Sequence, residues 1–121
     1  MKKLVLALFV LGIALPSFAG GLKVKDVVGA WSYEIVVDYE TVSGTLKFEK
    51  NGKELTGKVI TAEGQTYPMT KVEIRDNDVL YFELEVDYSV FEVTLTIDGK
   101  KYTGVVVVDG EELPVIGEKI E

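Results

Sequence analysis

The sequence has no cysteine and no histidine. Without histidine there is no imidazole base and no Ser-His or Cys-His pair. Without cysteine there is no thiolate nucleophile, no disulfide and no zinc site of the usual Cys/His kind. Proline is scarce, 3 in 121 residues, while 47% of residues are hydrophobic, which argues against disorder. Basic residues are also short: 13 Lys+Arg stand against 20 Asp+Glu, a net charge of −7. A nucleic-acid partner needs the opposite balance, because Lys and Arg must replace phosphate counterions. A glycosidase-type carboxylate pair stays open to composition. Most Asp and Glu fall at outward strand positions or in turns, however, so the chain reads as non-enzymatic, with no metal and no cofactor.

The N-terminus MKKLVLALFVLGIALPSFAG reads as a signal peptide over residues 1–19. Lys2 and Lys3 form its positive start, and Leu4 to Leu15 its apolar run, shorter than the roughly 20 residues a bilayer span needs. Pro16 breaks the helix, and Ser17 and Ala19 put small residues at the −3 and −1 positions, so cleavage is expected after Ala19. The product is then exported, periplasmic or extracellular, with no stable membrane anchor. It runs from Gly20 to Glu121, a single domain of 102 residues with 11 basic against 20 acidic residues. With no disulfide to staple it, one packed core must hold it, and about 100 residues suffice for one.

From residue 29 onward, apolar and polar residues alternate. Trp31, Tyr33, Ile35 and Val37 share one face, and Ser32, Glu34 and Asp38 the other. The same alternation recurs around Leu46, Val59, Ile74, Phe82, Phe91 and Tyr102, and less regularly over 111–120. That makes eight strands. Short turn signals separate them, among them Asn51-Gly52, Glu63-Gly64, Asp98-Gly99 and Asp109-Gly110. Residues 22–28 read either as a short helical turn or as a lead-in strand. The strand phase slips between Met69 and Val72, which predicts a bulge. Pro68 and Pro114 are expected near strand starts or at bulges.

The chain also matches itself, with repeats over about 30–76 and 78–121. NGKELTGKVI at 51–60 aligns with DGKKYTGVVV at 98–107, and YEIVVDY at 33–39 with FELEVDY at 82–88. Each half is a four-stranded meander with one apolar face and two open edges. Two halves side by side close the sheet and remove the edges. The expected fold is all-β, an eight-stranded antiparallel up-and-down barrel; a two-sheet sandwich needs the same patterning.

Gly29-Ala30-Trp31 opens the first strand after a short lead-in. This resembles the Gly-x-Trp signature of the lipocalins and the wider calycin group. The resemblance implies a barrel that carries a small ligand, with Trp31 as a structural plug at the closed end. The chain is shorter than a lipocalin and lacks the C-terminal helix and the late-strand arginine that packs on the tryptophan. Arg75 lies mid-chain, and Lys119 is the substitute at the chain's end.

Inward alternation nominates Trp31, Tyr33, Phe48, Phe82, Phe91 and Tyr102 as the barrel interior. They line a ligand pocket or fill a core, since an eight-stranded barrel is only just wide enough for either. A connected void of roughly 300 Å³ or more would favour the pocket. Gly44, Gly57 and Gly104 fall on the same phase and either leave space or permit sharp coiling. The first, third, fifth and seventh turns share one rim, carrying Asp38, Glu40, Glu63, Asp87, Asp109, Glu111 and Glu112 without a Lys or Arg. The resemblance to calycins implies that this rim is the open mouth, and a small, largely apolar, non-anionic ligand fits such a mouth. Val36, Val105, Val107 and Ile116 fall on the outward phase of neighbouring strands and form a candidate patch for a homodimer or protein partner. The alternative function is therefore a filled module that binds through this outer face.

Overall fold

The computed structural model describes residues 21–121, so the signal peptide and its cleavage site lie outside the described residues. A single helical turn, α1 (Val24–Val27), leads in. Eight strands follow: β1 (Gly29–Val37), β2 (Glu40–Asn51), β3 (Glu54–Thr61), β4 (Thr66–Arg75), β5 (Val79–Val86), β6 (Ser89–Asp98), β7 (Lys101–Val108) and β8 (Glu111–Glu118). Each pairs antiparallel with the next, and β8 pairs with β1 to close a barrel. The sandwich is thereby excluded.

Two-residue turns set the register. Val37 faces Glu40 across Asp38-Tyr39, and Val86 faces Ser89 across Asp87-Tyr88. All four turn residues have positive φ, 49° and 69° in the first turn and 51° and 69° in the second. That is the type I′ arrangement, whose twist matches the strands it joins. The bulge falls where the phase slips: register shifts between Met69 and Lys71, and Thr70 Oγ1 donates to the Glu83 carbonyl at 3.2 Å. Pro68 adjoins this bulge. Pro114 sits mid-strand in β8, next to the Glu34–Ile116 and Ile35–Val115 pairs that make up the short β1–β8 ladder.

The lead-in closes one end. Asp26 accepts from the Lys23 amide at 3.0 Å and caps the turn. Val27, fully buried, accepts the Trp31 indole N–H at 2.9 Å. Leu22 donates its amide to the Asn77 carbonyl in the β4–β5 turn. The C-terminus arrives at the same place, with Ile120 donating to the Ala30 carbonyl at 2.8 Å. Lys119 lies over the Trp31 ring at 5.6 Å and donates to the Asp26 carbonyl at 3.2 Å, so the cation that packs on the tryptophan comes from the chain's end.

Inward residues make one core. Trp31, Phe48, Leu80, Phe82, Leu95 and Val27 are its largest fully buried side chains. Trp31 and Tyr102 pack with ring centroids 6.0 Å apart, and Phe48 meets Phe82 edge-on at 5.9 Å. Such pairs contribute roughly 0.5–1.5 kcal/mol beyond the area they bury.

Candidate functional site

The barrel is filled at the α1 end and hollow at the other. A cavity of about 260 Å³ lies under the rim formed by the β1–β2, β3–β4, β5–β6 and β7–β8 turns. Of the six nominated side chains, Tyr33, Phe82 and Phe91 line it. Trp31, Phe48 and Tyr102 do not; they point inward as expected but pack the closed end, which corrects the expectation of one pocket lined by all six. The reason is the lead-in. With α1, Trp31 and the C-terminus converging there, no space remains. The volume falls a little below the expected mark, so the occupant must be small.

The inward glycines do not leave the hollow. A Cβ on Gly44 would meet the Tyr33 ring, one on Gly57 the Phe48 ring and Met69 sulfur, and one on Gly104 the Leu95 side chain. Each glycine gives its room to a large side chain on the strand beside it. The hollow comes instead from medium-sized residues near the rim, such as Ile35, Val42, Val86 and Val93. Val42 is 46% exposed, which marks where solvent reaches the cavity.

One wall residue escapes a simple alternation. Tyr67 and Thr61 flank the β3–β4 turn and line the cavity, and Thr61 continues the inward phase of Val59, whereas Tyr67 does not follow from the phase of its own strand. Tyr67 lies before the Thr70 bulge, where the inward phase is odd-numbered; after it, Val72 and Ile74 carry the phase. Reading the strand backward from Val72 therefore turns Tyr67 outward, and only the slip itself signals otherwise.

The cavity wall is apolar apart from a few oxygens. Tyr102 does not contribute one, because its hydroxyl donates to the Ser32 carbonyl at 2.7 Å. Tyr33 does. It is 6% exposed, lines the cavity, and its hydroxyl has no hydrogen-bond partner among the described residues. Burial, and then the nearby Glu63 carboxylate, raise its pKa, so it is a neutral phenol at physiological pH. Among the described residues, no three acidic side chains converge where a metal ion would sit.

On the outside, Val36, Val105 and Ile116 are exposed, at 57%, 39% and 51%. Val105 pairs with Pro114, and Ile116 with both Thr103 and Glu34, so the three lie on adjoining strands around Pro114. Val107 is only half-buried, between Glu92 and Glu112. Tyr81 is the exception to outward exposure. The Arg75 guanidinium stacks 3.6 Å from its ring centroid, and its hydroxyl donates to Glu83 at 2.5 Å.

Burial pushes the Tyr81 hydroxyl up to about 12, helped by the Glu83 and Glu92 carboxylates and opposed by Arg75. Tyr102 is raised as well, by burial first and then by Tyr33 and Glu34. The folded protein holds these protons more tightly than the unfolded chain. Stability is therefore full below the ordinary phenol pKa of about 10 and is lost as pH climbs from there toward 12. The ultraviolet phenolate titration of the folded protein should lag behind that of the urea-unfolded chain, and Tyr81→Phe should narrow the lag. Coincident titration curves would contradict the burial of these hydroxyls.

By sequence, the chain matches no protein-family model and no curated protein. By structure, it is similar to a redesigned β-barrel with a TM-score of 0.64, at 14% identity, over 88% of this chain and 100% of that one. It is also similar to the redesigned β-barrel mFAP1 bound to DFHBI, with a TM-score of 0.60, at 13% identity, over 80% of this chain and 97% of that one. At these identities the likeness is one of fold, a small closed β-barrel.

Proposed function

We propose that the protein is an exported, non-enzymatic barrel that holds one small, largely apolar, non-anionic molecule in its upper half. The observation that carries this reading is the cavity of about 260 Å³ with apolar walls and one unpartnered hydroxyl, above a core that is otherwise packed. Small-molecule sites have this character, mostly apolar with a few placed polar groups. That a barrel of this fold holds DFHBI supports the reading, and the N-terminal signal-peptide pattern supports export. The alternative, a filled barrel acting through an outer apolar face, has Val36, Val105 and Ile116 in its favour and the hollow interior against it.

The test is displacement of aminoanthracene, a small neutral fluorophore, by decanol and decanoate. Decanol is expected to displace it and decanoate to do so less well. Val93→Phe, which fills the cavity from the β6 wall, should abolish fluorophore binding while lowering the unfolding free energy measured in urea by no more than about 1–3 kcal/mol. Failure of the wild type to bind fluorophore or alcohol would sink the reading, and better retention of decanoate would sink its non-anionic part. Tryptophan emission is a poor reporter here, because Trp31 lies below the cavity.

A further inference from the structure

The unpartnered Tyr33 hydroxyl in the cavity wall and the charge of the rim above it point to one ligand class. We propose that the occupant is a cationic amphiphile, a primary alkyl- or arylammonium. Its apolar body fills the cavity, and its ammonium group sits at the level of the Tyr33 hydroxyl, beneath Glu63. This rests on the binding reading above and narrows it.

Tyr33 supplies the first argument. The residue is 6% exposed, and its oxygen, open to the cavity, makes no hydrogen bond among the described residues. The other cavity tyrosine, Tyr67, reaches Gln65 Oε1 at 3.4 Å. A ligand N–H is a natural partner for a phenol oxygen with free lone pairs. A hydroxyl alone does not choose between a neutral and a charged donor, so the choice falls to electrostatics.

The rim makes that choice. Its turns carry Asp38, Glu63, Asp87 and Asp109 and no basic residue. Among the described residues the ion pairs are those of Lys71 and Arg75 with Glu73, on the outer face of β4, so the rim carboxylates have no counter-ion of the protein's own. At the opposite end Lys23, Lys25, Lys100 and Lys119 flank the lead-in beside Asp26 and Asp78, so the acids there have basic neighbours. The barrel is thus polarised along its axis, negative at the open end. Glu63 is close enough for its charge to act on the Tyr33 hydroxyl.

Two aromatic side chains add to the rim. Tyr39 and Tyr88 stand fully exposed at the tips of the β1–β2 and β5–β6 turns. Both have φ of 69°, a conformation that favours Gly or Asn. Nothing in the turn itself asks for tyrosine there. Aromatic faces attract cations, and these two project from the rim that carries the carboxylates.

The experiment compares decylamine, decanol and decanoate as competitors of aminoanthracene at neutral pH, below the concentrations at which they form micelles. Decylamine is expected to bind at least ten-fold more tightly than decanol, with the gap shrinking at high salt. Glu63→Gln should weaken decylamine several-fold and leave decanol unchanged. Tyr33→Phe should weaken decylamine without lowering stability, whereas Glu54→Gln at the opposite rim should change neither competitor. Decanol binding as tightly as decylamine, or Glu63→Gln weakening both alike, would overturn the cationic assignment and leave the cavity reading intact. Absence of binding by all three competitors and the fluorophore would overturn both.

Discussion

Trp31→Ala should destabilise the barrel by about 3–5 kcal/mol, the range for removing a large buried aromatic. A domain of this size has about 5–15 kcal/mol in total, so the variant should sit close to unfolding. Three attachments fail together. The ring is 1% exposed and packs on Tyr102. Its N–H holds the Val27 carbonyl and with it the lead-in turn. Its face carries Lys119, which in turn holds the Asp26 carbonyl. Trp31→Phe keeps most of the packing and loses only the N–H, so about 1–2 kcal/mol is expected. Urea denaturation separates the two, with the midpoint falling at unchanged slope. A loss below about 1 kcal/mol for Trp31→Ala would mean that the lead-in closes the barrel without the indole.

The same residue shows how far the sequence alone reaches. Alternation places Trp31 inward, and the short lead-in before it marks the end that will be closed. The turn pairs, the strand order and the slip after Met69 are equally local, because period-2 burial and turn chemistry act within a few residues. Closure is the one long-range step, and it follows from two open edges that have no other partner.

Height inside the barrel is not local. Phase tells which face a side chain takes but not whether it lies near the rim or the plug. Phe48 and Phe91 share the inward phase, yet one packs on Phe82 in the filled half and the other lines the cavity. Strand tilt and the register of every ladder set that height. Distance from a turn is the usable clue: Ile35, Val42, Val86 and Phe91 all lie within a few residues of the open-end turns. Tyr81 marks a different limit. Its phase is outward, yet Arg75 from the neighbouring strand stacks over its ring and the residue is buried.

Gly117→Ala is expected to cost about 3 kcal/mol, at the upper end of overpacking, because it strikes where the cylinder closes. The ladder between β1 and β8 is short, and side-chain clips reinforce it. Ser32 Oγ accepts the Glu118 amide at 3.0 Å and donates to its carbonyl at 3.3 Å, while Tyr102 donates to the Ser32 carbonyl. A Cβ on Gly117 would collide with that same carbonyl oxygen and with the Tyr102 hydroxyl. The hydroxyl belongs to a side chain and can be removed; the carbonyl is backbone and can move only if the strand moves. Tyr102→Phe should therefore fail to rescue Gly117→Ala. Ser32→Ala, which removes one clip without inserting an atom, should cost only about 1 kcal/mol. Hydrogen exchange should show the damage first at Ser32, Glu34 and Glu118, with the β5–β6 hairpin protected. If Gly117→Ala is tolerated within 1 kcal/mol, or if Tyr102→Phe restores it, the seam yields more easily than its two-pair ladder and backbone contact imply, and closure depends on the other seven ladders.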